Sequence, residues 1–141
     1  MTTNEKVLYW LDLADYDIET ARVNLEGSRF LYVGFMCHQA IEKALKAVVT
    51  QVTDGGVPPK IHNLPILAEK ALLDGKMTEE HLDLIRELNP LNIEARYPEY
   101  KERLLQTLSK EYCNTIIERV VELLCWIKKQ LQDTRTDMQM K

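Results

Sequence analysis

Residues 35–49, FMCHQAIEKALKAVV, constrain the fold more than any other stretch. The segment has no Gly or Pro and is rich in Ala, Leu, Glu and Lys, all strong helix formers. At 3.6 residues per turn its apolar positions, Phe35, Ala40, Ile41, Ala44, Leu45, Val48 and Val49, do not fit one stripe. They nearly encircle the axis. A helix that is apolar on most sides is packed on most sides, so this segment reads as the central helix of a small bundle. Its polar exceptions are His38, Gln39, Glu42, Lys43 and Lys46. Gln39, Glu42 and Lys46 share a face at i, i+3 and i+7, and Lys43 sits beside them. A narrow polar strip on a largely apolar helix marks a candidate site.

The rest of the chain supplies helices to surround it. Thr2-x-x-Glu5 reads as a capping box. After it, Val7, Leu11, Ala14, Ile18, Ala21 and Leu25 form one apolar stripe, with Asp12, Asp15, Asp17 and Glu19 read as a solvated acidic face. Gly27 reads as the end of this helix and Ser28 as the cap of the next, which runs to about Val52. The segment TDGGVPP at 53–59 forbids a continuous helix. Its Gly pair lacks the following Lys-Ser or Lys-Thr of a phosphate-binding loop, so it reads as a flexible connection. A third helix is expected over 64–73, and a short fourth begins at Thr78, with Leu82, Ile85 and Leu88 as its buried edge. LNIEARYPEY follows with no clear period, and Pro98 opens a last long helix to about Gln132. Leu105, Leu108, Tyr112, Ile116, Val120, Leu123, Ile127 and Leu131 give that helix its stripe. No segment alternates with period two, so no strands are expected. The expected fold is an all-α bundle of about five helices in a single domain over 1–132, with a polar, frayed tail at 133–141.

Several function classes are excluded or disfavoured. The 141 residues suit one domain. No apolar run reaches the roughly 18–20 residues needed to cross a bilayer, and the N-terminus has no signal-peptide pattern. A formal net charge of −4 argues against binding nucleic acid by bulk charge, while leaving room for a local basic pocket. Cys37, Cys113 and Cys125 lack metal-ligand spacing and read as buried, reduced thiols of a cytoplasmic protein. HExxH, GxSxG, Rossmann and kinase signatures are all absent, and no metal or cofactor is expected.

Two places outside the central helix draw attention. His62 follows a loop and opens a helix, a common setting for a site residue; closing the loop is the competing structural role. His81 reads as a surface residue and His38 as a hydrogen-bonded core histidine. In Glu94-Ala95-Arg96-Tyr97-Pro98, a guanidinium held in a constrained connection can pair bidentately with a phosphate or carboxylate. The alternative is an ion pair between Arg96 and Glu42 that ties the connection to the central helix. Tyr97 can stack on a base or belong to the core.

Taken together, Gln39-Ala40-Ile41-Glu42-Lys43-Ala44-Leu45-Lys46-Ala47, then His62-Asn63-Leu64, then Ala95-Arg96-Tyr97-Pro98 resemble the HEPN family, the nucleotide-binding domain of higher eukaryotes and prokaryotes. The likeness runs from Ala14 to Trp126. It implies an up-and-down helical bundle, like those that bind nucleotidyltransferase substrates, and one that usually dimerises. It also implies a prokaryotic setting beside a minimal nucleotidyltransferase, as a toxin–antitoxin pair. Many members are metal-independent ribonucleases that carry Arg, four to six residues, then His near the start of the last helix. Here no histidine follows His81, so that spacing is absent.

Three functional expectations result. The first is a nucleotide- or RNA-associated binding module, with Lys43, Lys46, Arg96 and Tyr97 beside Gln39, Glu42 and His62 in one ligand pocket. The second is a metal-independent endoribonuclease using His62 and Arg96. The third is an interaction protein in which the polar strip is an internal network that sets helix register.

Overall fold

The computed structural model describes the backbone except residues 95–97 and 141, and the side chains except those of 93–101 and 132–141. Arg96 and Tyr97 therefore lie outside the described residues. The described backbone is helical, with no strand: α1 (Thr3–Glu26), α2 (Phe30–Val52), α3 (Leu64–Lys70), α4 (Glu79–Leu88), α5 (Leu91–Glu94), α6 (Pro98–Thr107) and α7 (Lys110–Met140). The capping box at Thr2 is present in full, with the Thr2 side chain accepting from Glu5 N and Glu5 accepting from Thr2 N. Thr78 caps α4 in the same way, with His81 in the reciprocal position.

Helix α2 is the central element that its composition requires. From Ala40 to Gln51 every residue except Lys43 is buried. Each fully buried Ile or Leu there, such as Ile41 and Leu45, contributes about 1.5–3 kcal/mol relative to exposure. Helix α1 returns antiparallel along α2. Its first turn reaches the far end of α2, where Thr3 Oγ1 donates to Asp54 Oδ1 (3.2 Å) and Lys6 Nζ to the Gly55 carbonyl (2.8 Å). Those bonds tie the glycine-containing loop to α1. Helix α7 runs alongside α2 in the same sense, with Cys113 at Phe30 and the Gln51 amide at the Leu131 carbonyl. It lies antiparallel to α1, joined by Lys128 and Asp15 at 2.7 Å. The short helices α3 to α6 cross between the ends of α2 and α7. Gly34 lets α5 approach α2 closely: a Cβ there would meet Leu91 Cδ1 at 3.1 Å.

Several boundaries differ from the sequence reading. Gly27 has φ −83°, and Ser28 takes the left-handed conformation instead (φ 58°). The turn closes through Arg29 N to Asn24 O at 2.7 Å, so Ser28 links the helices rather than capping α2. Helix α3 ends at Lys70, because Leu72 turns left-handed (φ 61°) and Leu73 N bonds back to Ala68 O. The long final helix is two helices. Ser109 breaks it by capping α7, its hydroxyl accepting from Tyr112 N at 3.1 Å. The break changes the phase of the stripe, so Leu104 is buried and Leu105 is 47% exposed. The connection after Pro90 contains the one-turn α5. Cys37 and Cys113 are buried, with thiols pushed up by burial to about 12 and about 11, whereas Cys125 is exposed. Among the described residues no helix is long and apolar enough to cross a membrane, and no group of side chains is disposed to hold a metal ion.

Candidate functional site

The polar side chains of α2 are drawn into two connected arrangements. Glu42 is 2% exposed and accepts two bonds. Its Oε1 takes the His62 Nδ1 proton at 2.9 Å, and its Oε2 takes Lys46 Nζ at 3.1 Å. Lys46 also lies over the Trp10 ring, 5.8 Å from its centroid. One turn earlier, Lys43 Nζ donates to Asp17 Oδ2 (3.0 Å) and to Gln39 Oε1 (3.3 Å), and Gln39 Nε2 donates to Asn92 Oδ1 (3.0 Å). His38 is fully buried and joins the two: its Nε2 lies 3.0 Å from the His62 carbonyl, and Gln39 Nε2 approaches its Nδ1 at 3.4 Å.

Burial and donor chemistry assign the protons. A carbonyl only accepts, so His38 Nε2 carries the proton and donates to the His62 carbonyl. Burial pushes His38 down to about 4, against the pull of the Glu42 carboxylate, so the ring is neutral at physiological pH. His62 differs. Its side chain is 49% exposed, and its Nδ1 is committed to Glu42. Among the described residues Nε2 has no partner.

His62 opens onto a cleft of about 340 Å³ lined by Ile61, His62, Asn63, Ile66, Asn89 and Asn92. The local fold places each polar member. Asn63 is the N-cap of α3, its Oδ1 accepting from Ile66 N at 3.0 Å, and Pro65 suits the first turn. Asn89 ends α4, and its Oδ1 accepts from Leu64 N at 2.9 Å, holding the start of α3 against the end of α4. Asn92 is carried on α5 beside Gln39 and is 3% exposed.

The structure thus brings His62 together with Glu42, and through His38 and Asn92 with Gln39. Lys43 and Lys46 face carboxylates of the protein and do not line the cleft. His81 caps α4 and packs its ring on Trp126 at 4.8 Å. Asp17, read from sequence as a solvated acid, is buried and holds Lys43. Its place was legible: Ala14, Asp17, Ile18 and Ala21 follow i, i+3, i+4, i+7, which puts Asp17 on the buried side. Asn92 gave no such signal, since α5 is too short to show a period, and Asn89 lies at the end of α4, beyond its stripe.

The chain matches the model of the HEPN domain over residues 7–130, nearly its whole length, and belongs to that family. In that general sense it is a nucleotide- or RNA-associated module. No curated protein and no solved structure matches it.

Proposed function

We propose that the chain is a nucleotide- or RNA-binding module whose ligand occupies the His62 cleft, with Arg96 and Tyr97 contributing from the connection after α5. The observation that carries this reading is the fixed His62 ring, whose Nδ1 is held by buried Glu42 at 2.9 Å while Nε2 is left to the cleft. Family membership supports the ligand class. In this reading the protein is a cytoplasmic, prokaryotic homodimer paired with a minimal nucleotidyltransferase as a toxin–antitoxin couple. Tyr9, Tyr16 and Val23, seven residues apart and exposed along α1, support an interaction face for such partners. The test is equilibrium binding of a mononucleotide and a short single-stranded RNA to wild type, His62→Ala and Arg96→Ala. Loss of one charge-assisted contact weakens binding by about tenfold or more. Unchanged affinity in both variants, with folding intact, would remove the cleft as the ligand site.

A second reading is favoured by the same pair of groups. An imidazole whose Nδ1 is held by a carboxylate is set to exchange a proton through Nε2. With Arg96 stabilising a charged phosphorane, His62 would serve a metal-independent endoribonuclease. It predicts RNA cleavage in the presence of EDTA by wild type and none by His62→Ala or Arg96→Ala. Cleavage that survives in His62→Ala sinks this reading and leaves the binding module in place.

A further inference from the structure

The cleft around His62 is lined by three asparagines, and bonds elsewhere in the fold decide which end of each amide it can use. Asn63 Oδ1 accepts from Ile66 N (3.0 Å) and Asn89 Oδ1 from Leu64 N (2.9 Å). A backbone N–H can only donate, so in both residues the oxygen faces the backbone and the NH₂ group remains to be offered. Asn92 is set from further away. Lys43 is an ammonium and can only donate, so the Gln39 atom it meets at 3.3 Å is Oε1. Gln39 then presents Nε2, a donor, to Asn92 at 3.0 Å. Asn92 must answer with Oδ1, and its NH₂ group is left over. The assignment agrees with His38, whose Nδ1 is unprotonated and also faces Gln39 Nε2. Asp17, 3.0 Å from Lys43, holds the start of this chain of bonds in place.

We infer that the cleft is a phosphate-reading subsite, in which the amide N–H groups of Asn63, Asn89 and Asn92 bind phosphate oxygens. Gln39 is its positioning residue, setting the polarity of Asn92 from inside the bundle. This deepens the reading of the His62 cleft as the ligand site and rests on it. None of the residues lining the cleft carries a carboxylate, and each of the three amide oxygens is already turned toward a donor of the fold. A phosphate offers acceptors alone and matches the three amide donors, while His62 Nε2, an acceptor when Nδ1 donates to Glu42, is left for a hydroxyl or N–H of the same ligand. The Watson–Crick edge of every base includes at least one donor, for which the three amide N–H groups offer no acceptor. Ile61 and Ile66 on the same cleft give apolar walls for the sugar or ring that carries the phosphate.

The test compares 5′-AMP with adenosine by calorimetric titration, using wild type, Asn92→Asp, Gln39→Glu and Asn63→Ser. Asn92→Asp still accepts from Gln39 but replaces the donor in the cleft by an oxygen. Gln39→Glu still accepts from Lys43 but has no donor to give Asn92, whose amide must turn its oxygen outward. Asn63→Ser keeps a good helix cap and removes one donor without adding charge, so it reports even where the others fail to fold. Expected are tenfold or greater losses of AMP affinity for Asn92→Asp and Gln39→Glu, and a several-fold loss for Asn63→Ser. Gln39→Glu is also expected to shift the Asn92 side-chain amide resonances in the ligand-free protein, which a purely structural role would not single out. Adenosine binding as tightly as AMP would overturn the phosphate assignment. AMP binding that shifts the His62 ring resonances but is indifferent to the folded variants would overturn the inference and leave the cleft as the ligand site. Binding of neither AMP nor RNA by wild type would remove both.

Discussion

One face of α2 feeds two regions of opposite character. In the interior, Lys43 meets Asp17 and Lys46 meets Glu42, at 3.0 and 3.1 Å, and the ionic groups are satisfied inside the protein. At the cleft, one turn of loop and the ends of α4 and α5 bring up neutral amides and a half-exposed imidazole. The charged residues that suggest a ligand site in the sequence are spent on each other, and uncharged residues line the opening. The difference teaches that burial decides what a charge on a helix does. A buried ammonium needs a partner within the fold, whereas an amide with one end committed to backbone keeps its other end for a ligand.

Variants can break this comparison, and the largest effect belongs to the interior. Glu42→Leu strands the Lys46 ammonium, 7% exposed, without its carboxylate; a loss of about 3–5 kcal/mol in urea unfolding is expected. A loss under 1 kcal/mol would show that Lys46 escapes to solvent and that the region is not closed. Next is the pH dependence set by His38. Its value in the folded protein, about 4, lies below the ordinary 6.5. Between those values the unfolded chain binds a proton that the folded chain refuses. Stability is therefore full above pH 6.5 and falls as pH drops toward 4, by up to about 3 kcal/mol. His38→Gln should flatten this slope between pH 7 and 5, and a slope equal to wild type would move its origin elsewhere. Lys43→Met opens the Asp17 and Gln39 bonds, which are partly buried, and should cost about 1.5–3 kcal/mol. Smallest is Lys128→Ala, which breaks a largely exposed pair with Asp15 and should cost less than about 1 kcal/mol. Finding Lys128→Ala costlier than Lys43→Met would reverse the distinction between closed and open regions.

Much of the fold was legible because helices announce themselves locally. The encircling apolar pattern of residues 35–49 marked the central helix, and Thr2 and Thr78 marked two helix starts by chemistry that acts within one turn. The misreadings fall where a distant contact decides. Ser109 restarts a helix in a sequence whose apolar spacing runs through unbroken, because a serine hydroxyl can cap a helix only after the chain has turned. Asp17 is the exception: its place on the buried side of α1 could be read from Ala14, Ile18 and Ala21, and only its partner Lys43 is set by a distant contact. Of the site, His62 and Glu42 were legible as single residues but not as a bonded pair 20 positions apart.

Residue order alone settled that this chain is an all-helical bundle around α2, since periodicity and capping are properties of neighbours three and four positions apart. Which polar residues face a ligand and which face each other was decided only by tertiary packing. The proton on His38, the orientation of His62 and the direction of the Asn92 amide depend on partners from α1, α2, α5 and the loop before α3. Hydrogen bonds act over about 3 Å, and no spacing along the chain states which groups will come that close.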